Sequence, residues 1–139
     1  MFPKTNIPVV MVSTDISASP STLFAFGKKL APLREEGALI LASGNVVHNL
    51  GSVSWERDDG YSWADTFDTT IRDAILSGDF LTPVNFTHLP GADKSVPTVE
   101  HYYPLLVALG AATSSKKITV WNEYRELGSM SMTSYTFEN

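Results

Sequence analysis

Three histidines, His48, His88 and His101, are the side chains best suited to chemistry in this 139-residue chain, which contains no cysteine. Without thiols there is no disulfide, no thiolate metal site and no cysteine nucleophile, so histidine and carboxylate are the strong metal donors. His48 follows the apolar run at residues 38–42 (ALILA), where Gly44 and Asn45 let the backbone turn. In an open α/β sheet, ligands bind beyond the carboxyl ends of the strands, and a side chain presented there faces the site. The plainer alternative is that Asn45 and His48 hydrogen-bond only their own loop. His101 adjoins Glu100 in the first turn of an expected helix, where the helix dipole favours a carboxylate and either residue could approach a metal. Neighbouring helical side chains diverge by about 100°, so only one of the two can point squarely at a shared ion. If neither does, both are solvent-facing. His88 lies in a proline-rich stretch with no partner at ligand spacing and reads as surface loop. Trp55, Trp63, Trp121 and Tyr102 could wall an aromatic pocket, although aromatics at regular spacing more often belong to a core. No G-x-S-x-G, Walker A, G-x-G-x-x-G or H-E-x-x-H string occurs, so no motif supports the chemistries those strings serve.

The elements that must carry these residues follow from periodicity. Residues 7–13 (IPVVMVS), after Pro3, form a short β-branched apolar run that suits a central strand buried on both faces. Residues 22–36 place Leu23, Phe24, Phe26, Leu30 and Leu33 at near-helical spacing, with Lys28, Lys29 and Arg34 opposite, Pro32 inside as a kink point and Gly37 as the stop. With residues 38–42 as a second strand, a right-handed βαβ crossover and a parallel pair are expected. Residues 49–60 read as loop and 63–76 as a helix ending near Gly78. Residues 80–97, with three prolines, read as irregular. Residues 98–112 read as a helix with Thr98 as N-cap and Pro104 inside it. Residues 118–121 and 129–137 read as strands.

Ten Lys+Arg against fifteen Asp+Glu give a formal charge of −5, which offers no basic field for a nucleic acid backbone. At 43% hydrophobic content, the chain has enough apolar material for one core, and residues 1–139 are taken as a single domain. No signal-peptide pattern and no run of about 18 apolar residues is present, so neither secretion nor membrane spanning is expected. Together with the absence of cysteine, this suits a reducing, cytoplasmic setting.

Four strings then carry a resemblance: IPVVMVSTD, GKKLAPLREEGALILASGNVVHNL, PTVEHYYPLLVALGA and ELGSMSMTSYTF. In order and spacing they resemble successive blocks of the LigB-like, DOPA-dioxygenase type of class III extradiol dioxygenases, over almost the whole chain. The resemblance implies an α/β fold with a central, mostly parallel sheet flanked by helices, a phosphorylase/peptidyl-hydrolase-like core. It also implies a mononuclear non-haem metal, iron(II) or else zinc(II), that binds a catechol through both hydroxyls while O₂ opens the ring beside the diol. Carried over by position, His48 in GNVVHNL matches the acid/base histidine at the metal, and His101 in PTVEHYYP matches a metal-site histidine. His48 itself and Glu100 are further candidate ligands. Asn45 and Tyr102 are candidate substrate contacts, with Trp55 as another pocket wall.

The chemistry agrees with that assignment, because a chelating catechol must lose a proton that a histidine can accept and later return. Members of the family are about twice this length, and their N-terminal half carries two further histidines. The resemblance therefore makes this chain the C-terminal half, truncated relative to its family. A mononuclear site needs about three protein ligands, so the remainder is expected from a partner chain or a homo-oligomer. The alternative function is a non-catalytic remnant that keeps the fold as a structural or interaction domain.

Overall fold

Residues 7–139 are described by the computed structural model of the protein; Pro3, read as the punctuation before the first apolar run, lies outside them. Helix α1, Pro20–Glu35, starts where the Ser19 side chain accepts the backbone N–H of Thr22 at 3.1 Å, with Pro20 in the first turn. A proline is tolerated there because that N–H has no helical partner to lose. The helix runs through Pro32 and ends in a Schellman arrangement: Gly37 takes φ +89°, and the N–H of Ala38 donates to the carbonyl of Leu33 at 3.0 Å. Helix α2, Ser62–Leu76, buries Ala64, Phe67, Asp68, Ile71 and Ile75 along one stripe. Two single-turn helices follow, α3 (Leu81–Val84) and α4 (Ala92–Ser95), with 3₁₀ turns at Leu50–Ser52 and Phe86–His88.

Helix α5, Tyr103–Ala111, packs on α1 through glycines: a Cβ on Gly27 would collide with the Val107 carbonyl, and one on Gly110 with the Phe24 carbonyl. Backbone approaches backbone there, a separation only glycine permits. Arg34 ties this pair to the C-terminal strands, donating to the carbonyls of Ala111 and Phe137 at 2.9 and 2.8 Å and to the Ser115 hydroxyl at 2.9 Å. Strands β1 (Lys117–Trp121) and β4 (Ser134–Glu138) pair antiparallel, with Lys117 opposite Glu138 and Trp121 opposite Ser134. Strands β2 (Arg125–Glu126) and β3 (Met130–Ser131) form a second, two-residue antiparallel ladder. Phe67, Ile71, Ile75, Leu106 and Leu109, all fully buried, are the centre of the core. No helix among the described residues is long and apolar enough to cross a membrane.

Five expectations change. The parallel central sheet is not formed among the described residues, where both sheets are antiparallel pairs. The runs at 7–13 and 38–42 join no ladder, and Val9, Val10, Met11, Leu39 and Leu41 are 75–93% exposed. A run of residues sets strand propensity, but a ladder also needs a neighbour whose backbone groups it can pair. The helix expected from residue 98 begins at Tyr103, which puts Pro104 in its first turn rather than its interior. Residues 98–102 form the preceding turn, so Glu100 and His101 are not helical. The single strand expected over 129–137 splits, because Met130–Ser131 and Ser134–Glu138 pair with different partners. Residues 80–97, expected to be irregular, contain the short helical turns α3 and α4.

Candidate functional site

Two loops distant in sequence meet at Gly44. A Cβ there would overlap the His101 carbonyl oxygen, and in its absence the N–H of Asn45 donates to that same oxygen at 2.9 Å. The contact sets His48 and His101 ring against ring, with centroids 3.6 Å apart and planes inclined by 18°. His48 is fixed from two further sides. Its N–H donates to the Ser95 carbonyl at 3.0 Å, and it forms an antiparallel bridge with Met130. Partial burial, followed by the neighbouring His101, lowers the basicity of the His48 imidazole, while nearby Glu100 opposes that shift. Glu100 is solvent-exposed and accepts the Thr98 hydroxyl at 2.7 Å, a bond that holds its carboxyl below the usual range. His101 lines an open groove of about 710 Å³ together with Leu39, Leu41, Asn45, Leu105 and Phe137.

The other candidates are placed differently. Asn45 spends its side-chain amide on the Ser131 carbonyl at 2.7 Å, stitching the His48 loop to β3. Tyr102 is 1% exposed, packs its ring on Phe86 with centroids 4.4 Å apart, and donates its hydroxyl to the Pro83 carbonyl at 2.9 Å. It is a core residue whose polar tip is already satisfied, and burial pushes its phenol well above the ordinary value. Trp55 is 84% exposed and His88 is on the surface.

The histidine pair alone does not make a metal centre. Among the described residues, no three His, Asp or Glu side chains are grouped to hold an ion. The stacking geometry adds a second objection. An imidazole lone pair lies in the ring plane, and near-parallel rings 3.6 Å apart keep their lone pairs in separate, near-parallel planes. An ion about 2.0–2.1 Å from a nitrogen of each ring would sit far out of both planes. In this arrangement one ring can direct a nitrogen at an ion while the other lies alongside.

A feature that sequence reasoning missed lies behind the loop. Asp68, fully buried, accepts the Ser131 hydroxyl at 2.7 Å, the Thr133 hydroxyl at 2.8 Å and the Arg125 guanidinium at 3.0 Å. Arg125 also pairs with Asp65 at 2.7 Å. The available signal was an aspartate on the stripe that Phe67, Ile71 and Ile75 define, since a charge on an apolar helix face demands a partner.

Comparison with known proteins places this chain in a family. Residues 1–138 match the family described as the catalytic LigB subunit of aromatic ring-opening dioxygenase, and the chain belongs to that family. Relatives named 4,5-DOPA dioxygenase extradiol include that of Escherichia coli K12, 41% identical over 96% of this chain and 51% of its own length. Those of Mirabilis jalapa and Beta vulgaris are 39% and 33% identical, over 84% and 99% of this chain and 44% and 52% of theirs. A crystal structure of an uncharacterized Escherichia coli K12 protein superposes with a TM-score of 0.87 at 40% identity, covering 97% of this chain and 57% of that one. The chain thus spans about half the length of the curated relatives it matches.

Proposed function

We propose that this chain is the C-terminal half of an extradiol dioxygenase that opens a catechol ring such as that of DOPA, with His48 as the proton-transfer group and His101 as its metal ligand. The observation that carries the reading is the face-to-face pairing of His48 and His101 beside a groove. Membership of the LigB family supports a part for that pairing in ring-opening chemistry. In this reading His101 would hold iron(II), or zinc(II), which would supply the binding of catechol and O₂ when present, and the stacked His48 imidazole accepts a proton from a catechol hydroxyl and returns it after ring opening. His48 as a second ligand would require its ring to rotate out of the stack. Glu100, exposed at the same turn, is the candidate for a carboxylate contribution.

The remaining ligands come, in this proposal, from a complementary segment on a partner chain or a second copy. That segment would also supply ladder partners for residues 7–13 and 38–42 and cover their exposed side chains. The parallel sheet expected from the sequence then forms at that junction.

The test is iron(II) binding and catechol-dependent O₂ uptake, measured on the purified chain and on the chain co-expressed with the N-terminal half of the Escherichia coli relative. The expected result is weak iron binding alone and one equivalent with O₂ uptake in the complemented protein. His101→Ala should then lose the iron, and His48→Ala should keep the iron but lose the uptake. A complemented protein that forms yet binds no iron overturns the reading in favour of a non-catalytic domain of the same fold.

A further inference from the structure

Resting on the reading of His48 and His101 as the reacting pair, we infer that Asp68 is a positioning residue that sets the register of β3 and, through it, the stacking of the two imidazoles.

The β2–β3 ladder has two residue pairs, too few to fix its own register. Ser131 closes β3 and Thr133 lies just beyond the ladder; both are buried, whereas Met132 between them is exposed. The two oxygens of Asp68 take one hydroxyl each, Oδ1 from Ser131 and Oδ2 from Thr133. A slip of one residue would present Met132 to the buried carboxyl, leaving it without hydroxyl donors. The carboxyl therefore reads the sequence at two positions, the end of β3 and the segment that follows it. Ser131 passes that register on. Its N–H donates to the Val47 carbonyl at 2.9 Å, and its carbonyl accepts the Asn45 amide at 2.7 Å. Val47 precedes His48, and Asn45 holds the His101 carbonyl through its own N–H. One hydroxyl–carboxyl contact thus acts on both sides of the ring pair. A second tie runs parallel: the Ser129 hydroxyl donates to the Asn49 carbonyl at 2.7 Å, and the Asn49 N–H returns to Ser129 at 3.1 Å.

A purely structural role predicts something different. Every other buried residue on the α2 stripe is apolar, and a well-packed apolar residue in place of a buried ion pair is commonly as stable or more so. An acid at this position is better explained by what its directional acceptors hold in place.

The experiment uses the full chain with isotope-labelled histidine and follows the nuclear Overhauser cross-peak between the His48 and His101 rings, with exposed His88 as internal reference. Thr133→Val removes one hydroxyl while keeping the shape, Thr133→Ser keeps the hydroxyl, and Ile71→Val perturbs the same helix without touching a hydrogen bond. The expected result is loss of the ring–ring cross-peak in Thr133→Val, its retention in Thr133→Ser, and its retention in Ile71→Val even where thermal stability falls as far. Retention in Thr133→Val, or equal loss in Ile71→Val, overturns the proposal. Should Thr133→Val fail to fold, Ser131→Ala removes the other hydroxyl and is read in the same two ways. The readout needs neither metal nor substrate, so a failure of the dioxygenase reading leaves this result interpretable.

Discussion

Substituting Gly44 by alanine tests the contact that brings the two histidines together. Gly44 is not among the glycines with positive φ, so alanine meets no backbone strain, and restricting the unfolded chain would by itself stabilise the protein by about 0.4–1 kcal/mol. Against this, the new methyl group falls inside the contact distance of the His101 carbonyl oxygen. That neighbour is backbone, so it cannot rotate away as a flexible side chain would. Overpacking of this kind costs about 1–3 kcal/mol, and separating the two loops also strains the Asn45 to His101 hydrogen bond of 2.9 Å, a further ~1 kcal/mol. The balance is a net loss of about 1–3 kcal/mol. For a chain of this size that lowers Tm by roughly 4–10 °C. Thermal unfolding followed by circular dichroism measures the loss, and the His48–His101 cross-peak should weaken in the same variant. A Tm that instead rises by the few degrees expected from chain entropy alone, with the ring contact intact, would refute the close backbone approach and the site geometry built on it.

Tyr102→Phe strands the Pro83 carbonyl, so it should cost about 1–2 kcal/mol in a denaturant melt while leaving iron binding unchanged; reduced binding would return Tyr102 to the site. Gly110→Ala sets a helix-propensity gain of about 1 kcal/mol against collision with the Phe24 carbonyl, and a drop in Tm is expected; a rise would show that α1 and α5 lie farther apart. Leu39→Asp, at a residue 84% exposed, should shift the stability of the chain alone by no more than about 0.5 kcal/mol yet weaken association with the complementary half, as read by analytical ultracentrifugation. Asp79 accepts the Thr82 hydroxyl and the N–H groups of Thr82 and Leu81, which in that order depress its pKa. Its contribution to stability is complete above the ordinary carboxylate pKa and is lost as pH falls through the depressed folded value. The acid limb of a Tm–pH profile should therefore flatten in Asp79→Asn.

Local pattern made much of the helical structure legible. The extent of α2 follows from a 3.6-residue apolar repeat closed by Gly78, and that of α1 from Ser19-Pro20 before it and Gly37 after it, because helix hydrogen bonds and caps are made between near neighbours in sequence. The motif blocks singled out His48 and His101 as residue types in an unusual setting, and the family match extends over all of those blocks. Residues 7–13 and 38–42 carry strand propensity in their composition, but no single run can specify the neighbour that would pair with it. The late start of α5 was open to the same limit, since a proline fits either inside a kinked helix or in a first turn.

What the sequence by itself determined were the positions of α1 and α2, the restriction of metal chemistry to histidine and carboxylate, and the two histidines worth following. Only the tertiary structure decided that their rings stack, that Tyr102 belongs to the core, and that a buried carboxyl on α2 grips the strand beside His48. Those are contacts between residues tens of positions apart. They depend on how whole elements pack, and the glycine that permits the histidine contact shows its role only once the opposing carbonyl is in place.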